Sequence, residues 1–86
     1  MQTPPRILQP DSAAETYIKE GCHILELSNS GDDPAVSIAR ARVEPGVTTR
    51  LHRLADTAER YVILQGQGLV EVGDQPPAAV RPGYVV

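Results

Sequence analysis

Phenylalanine and tryptophan are absent from this chain of 86 residues, and tyrosine occurs only three times. Any hydrophobic core must therefore be built mainly from aliphatic side chains, within the 41% of residues that are hydrophobic. A chain of this length forms one small domain, which buries only about 60% of the surface that its unfolded form exposes. The composition thus predicts a single domain of marginal stability.

Cysteine and long apolar runs are equally scarce. The one cysteine, Cys22, excludes an internal disulfide framework and is typical of a protein from a reducing compartment. No apolar run approaches the ~18 residues of a membrane span, and Met1–Pro10 lacks the apolar region of a signal peptide. These absences predict a soluble, cytoplasmic protein that does not associate with membranes.

Positive charge is in deficit, because eight Lys and Arg residues stand against eleven Asp and Glu residues. The net charge of −3 argues against nucleic acid or an anionic membrane as the main partner. The glycine-rich stretch Gly66-Gln67-Gly68 is followed by neither a lysine nor a helix signal, so it does not match a phosphate-binding loop. We therefore expect no nucleotide cofactor.

Turn residues, in contrast, are abundant, and the eight prolines and seven glycines fall between apolar runs rather than within them. Short runs separated by turns about every 8–12 residues predict an all-β fold, an antiparallel sandwich or barrel. We expect residues 1–20 to form an N-terminal arm, with either a strand or a short helix in Ala13–Glu20, and residues 21–86 to form the β domain. The predicted strands are Cys22–Leu27, Ala35–Val43, Val47–Leu54, Arg60–Gln65, Leu69–Val72 and Ala78–Val80.

His52 and Glu59 are the first candidates for a functional site. His52 lies in one predicted strand and Glu59 opens the next, so the two side chains converge if these strands are neighbours. An imidazole together with a carboxylate suits a divalent transition metal such as Zn, Fe, Mn or Ni. The alternative is an exposed histidine and a solvated glutamate, which is the commoner role of such residues.

The spacing around these two residues carries a resemblance to a known family. In order, the chain has Gly46, five residues, His52, one residue, Leu54, four residues, Glu59, six residues and Gly66. This order resembles the first motif of the cupin family, G-x5-H-x-H-x3/4-E-x6-G. Arg81-Pro82-Gly83 is similar to the start of the second cupin motif, G-x5-P-x-G-x2-H-x3-N. The resemblance covers residues 35–86 and suggests a small single-domain cupin.

The resemblance implies a small antiparallel β-barrel of the jelly-roll type with a metal inside it. In cupins the metal is held by two histidines and a glutamate of the first motif and a histidine of the second, which leaves His52 and Glu59 as the matching ligands here. Leu54 stands where the second histidine belongs, and the sequence given stops at Val86, within the second motif. Since two protein ligands bind metal weakly, we expect the metal to be weakly held or absent.

Three further side chains complete the candidate set. His23 is predicted to be half-buried and hydrogen-bonded, and it is a spare metal ligand. Arg50 shares a strand face with His52, and it is a candidate for binding a substrate carboxylate or for a solvated or interface role. Tyr61 is predicted either to line a ligand pocket or to fill the core. Cys22 adjoins His23 in a strand, so the two point to opposite faces and form no catalytic pair.

Two functions are consistent with these residues. The first is a non-catalytic cupin-type module with a degenerate metal site, which binds a small molecule or a partner protein. The second is a metal-dependent oxidoreductase of the dioxygenase type, or an isomerase, that acts on a small polar substrate.

The expected barrel is incomplete, as in a short relative or a truncated form of a longer cupin, and it leaves apolar edges uncovered. We therefore expect a homodimer that is completed by pairing or swapping of strands such as Arg60–Gln65, or of the N-terminal arm.

Overall fold

The computed structural model describes residues 4–86, so Met1–Thr3 of the predicted arm lie outside the described residues. The chain divides into two units, Met1–His52 and Arg53–Val86, and each is described by itself. Small antiparallel sheets account for nearly all of the regular structure in residues 4–86, with a single short 3-10 helix. The all-β prediction is confirmed at this level, while the jelly-roll barrel stays a prediction.

The first unit is a three-stranded antiparallel sheet preceded by one helical turn. Its strands are β1 (Thr16–Ile18), β2 (Cys22–Ser28) and β3 (Ile38–Arg42), and β2 is central. The 3-10 helix, Ser12–Ala14, begins where the Asp11 side chain accepts a hydrogen bond from the Ala13 amide at 3.1 Å. The two alternatives predicted for Ala13–Glu20, a short helix and a strand, therefore both occur, because the helical turn leads directly into β1.

The register of this sheet sorts its side chains onto two faces. Tyr17 pairs with His23, which pairs with Arg42, and Leu25 pairs with Arg40, so these five side chains share one face. Leu25 is fully buried, and burial of a leucine contributes about 1.5–3 kcal/mol to the free energy of unfolding. The unit thus combines one buried aliphatic side chain with a charged face.

A three-residue turn joins β1 to β2 and ends at Gly21. The Gly21 amide donates to the Ile18 carbonyl at 3.0 Å, and Gly21 has a φ of +98°, in the region that favours glycine. The backbone of Thr48 and Thr49 lies about 4 Å from the position that a Cβ of Gly21 would occupy. The turn therefore also forms the surface against which residues 48–50 lie.

The N-terminal arm is attached to the turn that follows β2. The Arg6 guanidinium donates to the Ser30 hydroxyl at 2.7 Å and to both carboxylate oxygens of Asp32 at 3.1 and 3.2 Å. The Ser30 hydroxyl itself donates to Asp32 at 2.6 Å. These bonds, those from Ser30 foremost, hold the pKa of Asp32 below its ordinary value.

The second unit contains two pairs of antiparallel segments. β4 (Gly68–Val70) pairs with β5 (Ala78–Val80), and Val80 is its buried apolar residue. A separate bridge joins Val62 to Val85, flanked by backbone hydrogen bonds between residues 61–63 and 83–86. The strand predicted over Ala78–Val80 is confirmed, and the one predicted over Leu69–Val72 is displaced by one residue and shortened.

The strand predicted over Ala35–Val43 is shortened to Ile38–Arg42, and two other predicted strands are lost almost entirely. The strand predicted over Val47–Leu54 is wrong, because these residues form no strand. A single backbone hydrogen bond, from the Arg50 amide to the Glu20 carbonyl, connects them to the three-stranded sheet's first turn. The strand predicted over Arg60–Gln65 is reduced to the single bridge at Val62. A segment with alternating apolar and polar residues forms a strand only when a neighbouring strand pairs with it, and neither of these segments has such a neighbour along its length.

No helix within residues 4–86 has the length and apolar character needed to cross a bilayer.

The conformation of Gly21 leads to a testable expectation. Gly21→Ala should lower the free energy of unfolding by about 1 kcal/mol or more, because an alanine at this positive φ is strained. Urea unfolding followed by circular dichroism measures the change. The matched control is Gly31→Ala, since a Cβ at Gly31 meets nothing within 4 Å and its φ is not positive. Equal losses of stability in the two variants would contradict this account of the turn.

Candidate functional site

One backbone hydrogen bond positions the predicted site residue His52. The Arg50 amide donates to the carbonyl of Glu20, in the β1–β2 turn, at 2.8 Å. This bond places the segment that contains His52 beside the turn. The His52 ring is then oriented by its own backbone, because its Nδ1 lies 2.9 Å from the Arg50 carbonyl oxygen. A carbonyl only accepts, so Nδ1 carries the hydrogen and donates it.

The second ring nitrogen of His52 faces a carboxylate. His52 Nε2 lies 3.5 Å from Oε2 of Glu20, and the two side chains are 30% and 34% exposed. The first unit thus joins an imidazole of fixed orientation to a carboxylate at a position that solvent reaches. Glu20 was not among the residues predicted for the site.

Glu59 and Tyr61 belong to the second unit, whereas His52 and Arg50 belong to the first. Glu59 lies outside the strands and is exposed, as is the Arg50 side chain. Across residues 4–86, no three His, Cys, Asp or Glu side chains are grouped so that they could hold a metal ion. The predicted metal pair of His52 and Glu59, and the substrate roles of Arg50 and Tyr61, therefore stay predictions.

His23, the predicted spare ligand, lies between two other carboxylates on the charged face of the sheet. Its Nδ1 is 3.9 Å from Glu15 and its Nε2 is 3.5 Å from Glu44. The Tyr17 ring packs edge-on against it, with ring centroids 5.0 Å apart. His23 is half-buried, as predicted, and its neighbours identify it as part of a charged cluster that holds the three strands together.

Glu15 is the centre of that cluster. Arg42 donates to it through Nε at 3.2 Å and Nη2 at 2.6 Å, and Arg40 donates through Nη2 at 3.2 Å. Arg42 also donates to Glu44 at 2.7 Å. The bonds from Arg42, with those from Arg40, lower the pKa of Glu15 from 4.5 to about 2. The hydrogen bonds to Glu15 and Glu44 raise the pKa of Arg42, so Glu15 and Arg42 are both charged at neutral pH.

Cys22 behaves as the small core residue that was predicted. It is buried at the start of β2, and burial, assisted by the negative charge of Glu20, raises the pKa of its thiol. A raised pKa keeps the thiol protonated and poorly nucleophilic at neutral pH.

The three acidic residues that matter most here, Glu15, Glu20 and Glu44, were missed by sequence reasoning. Two of them lie in the stretch interpreted as an arm, although Thr16-Tyr17-Ile18 and Cys22-His23-Ile24 flank a glycine-ended turn. That arrangement is typical of a hairpin, and a hairpin would have placed Glu15 and Glu20 beside the sheet.

Comparison with known proteins identifies no relative of this chain. No family model matches it, and neither the curated proteins nor the solved structures include a significant match.

The lowered pKa of Glu15 predicts an acid-sensitive sheet. A carboxylate whose folded pKa lies below its ordinary value stabilises the fold above that ordinary value, and this contribution is lost as the pH falls from 4.5 toward about 2. Glu15→Gln should therefore be less stable than wild type at pH 7 and should lose less stability on acidification.

Thermal unfolding at neutral and acidic pH measures both effects. Glu26→Gln is the matched control, because Glu26 is exposed on the central strand β2 and forms no ion pair within residues 4–86. If Glu15→Gln and wild type lose equal stability on acidification, the cluster does not stabilise the sheet as described.

Proposed function

We propose that this chain is a cupin-type β domain that works as a non-catalytic binding module and associates with a second copy of itself. The observation that supports this proposal most directly is an exposed apolar edge in the second unit, at Val62 and Leu64. These side chains are 59% and 75% exposed. Large aliphatic side chains exposed side by side on an extended segment are typical of a surface that binds a partner.

Backbone geometry supports the choice of a second copy as the partner. Tyr61 and Val86 exchange two hydrogen bonds of 2.9 Å, and the Ile63 amide donates to the Tyr84 carbonyl at 3.0 Å. Successive peptide groups of an extended segment point in opposite directions, so those of Val62 point to the other edge. An identical edge related by a two-fold axis satisfies these groups and brings the two aliphatic side chains beside their counterparts.

The second unit also supports a role in binding a small polar molecule. An open concavity beside the β4–β5 pair is lined in part by Gln67, Leu69, Arg81 and Tyr84. The Arg81 guanidinium lies 5.7 Å from the centre of the Tyr84 ring and donates to its hydroxyl at 3.2 Å. A guanidinium backed by an aromatic ring suits a small ligand that combines an anionic group with a flat apolar part.

A second candidate function is that of a metal-dependent oxidoreductase or isomerase of the cupin type. The observation that favours it is the hydrogen bond from His52 Nδ1 to the Arg50 carbonyl, because metal-binding histidines usually donate their other ring nitrogen in this way. His52 and Glu59 would hold a divalent metal, which would supply Lewis-acid or redox chemistry.

The binding-module proposal predicts a dimer. Light scattering coupled to size-exclusion chromatography should give twice the chain mass of 9.3 kDa at micromolar concentration. Val62→Lys should shift the population toward the monomer, since a charge on this edge opposes strand pairing. Val36→Lys is the matched control, because Val36 is similarly exposed but lies in the first unit. A wild-type monomer would contradict the proposal, as would equal dissociation by the two substitutions.

The enzyme alternative predicts a different result, which is a metal that depends on Glu59. Purified wild type should then hold near-stoichiometric metal, and both His52→Ala and Glu59→Gln should lose it, as measured by elemental analysis. Retention of metal by Glu59→Gln would exclude the cupin-type ligand pair.

A further inference from the structure

The last turn of the second unit places an arginine against a tyrosine. Arg81-Pro82-Gly83-Tyr84 has a proline at its second position and a glycine at its third, which is the pattern of a type II turn. The Tyr84 amide donates to the Arg81 carbonyl at 3.0 Å, and Gly83 has a φ of +92°, as such a turn requires. The backbone of this turn therefore holds the Arg81 and Tyr84 side chains next to each other.

The Arg81 guanidinium keeps most of its hydrogen-bonding capacity in this arrangement. It has five N–H groups, and the bond to the Tyr84 hydroxyl at 3.2 Å uses one of them. Arg81 forms no ion pair with a carboxylate within residues 4–86. One edge of the guanidinium, with two parallel N–H groups, thus remains for a carboxylate, and the contact with Tyr84 orients it in advance.

The concavity beside the β4–β5 pair limits the charge of its ligand. Its volume is about 560 Å³, within the range of about 300–1,000 Å³ that is typical of small-molecule sites. Arg81 is the one charged side chain among the described residues that line it. A single guanidinium balances one negative charge, whereas a phosphate monoester carries about 1.5 to 2 at neutral pH. The charge of the site therefore favours a monocarboxylate over a phosphate ester.

The other lining residues favour an apolar body for that carboxylate. Leu69 and Ala79 line the concavity and are exposed, as is the Tyr84 ring. An aromatic ring that covers these side chains removes apolar surface from water and can pack against the tyrosine ring in an offset or edge-on geometry.

We infer that this concavity binds a small aromatic monocarboxylate. Arg81 pairs with the carboxylate through two N–H groups, and Leu69 and Tyr84 contact the aromatic ring. The inference rests on the proposed function, because it names the class of small molecule that the binding module takes up.

The test is a titration of the full-length chain with benzoate at neutral pH, followed by NMR. Wild type should bind benzoate with a dissociation constant of about 1 mM, and the signals of residues 67–69 and 79–84 should shift. Arg81→Gln should weaken binding about tenfold or more, because it removes the charge and the paired N–H groups. Arg81→Lys keeps the charge but not the planar fork, so it should weaken binding about threefold or more.

A matched variant and two further ligands serve as controls. Arg53 is exposed in the same unit but does not line the concavity, so Arg53→Gln should bind benzoate within about twofold of wild type. Acetate lacks the ring and phenyl phosphate carries more charge, so wild type should bind each about fivefold or more weakly than benzoate. This comparison of ligands needs no substitution, so it holds even if a variant fails to fold.

Three results would overturn the inference: no binding of benzoate by wild type at about 10 mM, equal affinity of Arg81→Gln and wild type, or tighter binding of phenyl phosphate than of benzoate. Light scattering of the same samples separates this inference from the proposed dimer. A dimer that does not bind benzoate refutes the ligand class alone, whereas a monomer that binds benzoate refutes the dimer alone.

Discussion

The hydrogen bond from the Arg50 amide to the Glu20 carbonyl is the constraint on which the candidate site depends. Residues 47–52 lie outside the strands, and this bond of 2.8 Å ties their backbone to the β1–β2 turn. Such a bond contributes only about 1 kcal/mol on its own. The bond forms only if the turn presents the Glu20 carbonyl to the Arg50 amide. Gly21, at a φ of +98°, allows the backbone conformation of this turn.

Charge contributes to the first unit where apolar burial is sparse. Only Cys22 and Leu25 are buried there among its described hydrophobic residues, whereas Glu15 joins two arginines of β3 to the segment before β1. A sheet held in this way responds to acid, and many aliphatic side chains of the unit stay exposed. The second unit likewise buries only Val80 among its described hydrophobic residues, and this sparse burial is one ground for the dimer that we propose.

Local signals in the sequence predicted the parts of the fold that depend on neighbouring residues. β2 follows from the alternation in Cys22–Leu27, and the turns follow from glycine and proline. Val47–Leu54 alternates just as well, yet it forms no strand, because alternation cannot reveal whether a neighbouring strand exists. His52 was identified from a motif, whereas its neighbour Glu20 depends on an approach between distant segments that no spacing in the sequence encodes.

Amide hydrogen exchange of Arg50, followed by NMR, tests the central claim most directly, because it reports on the bond that carries His52 to the turn. The account predicts that the Arg50 amide exchanges much more slowly than that of its neighbour Leu51, which is 84% exposed. It also predicts that Gly21→Ala, which strains the turn, reduces this protection. Equal exchange at Arg50 and Leu51 in the wild-type protein would contradict the account.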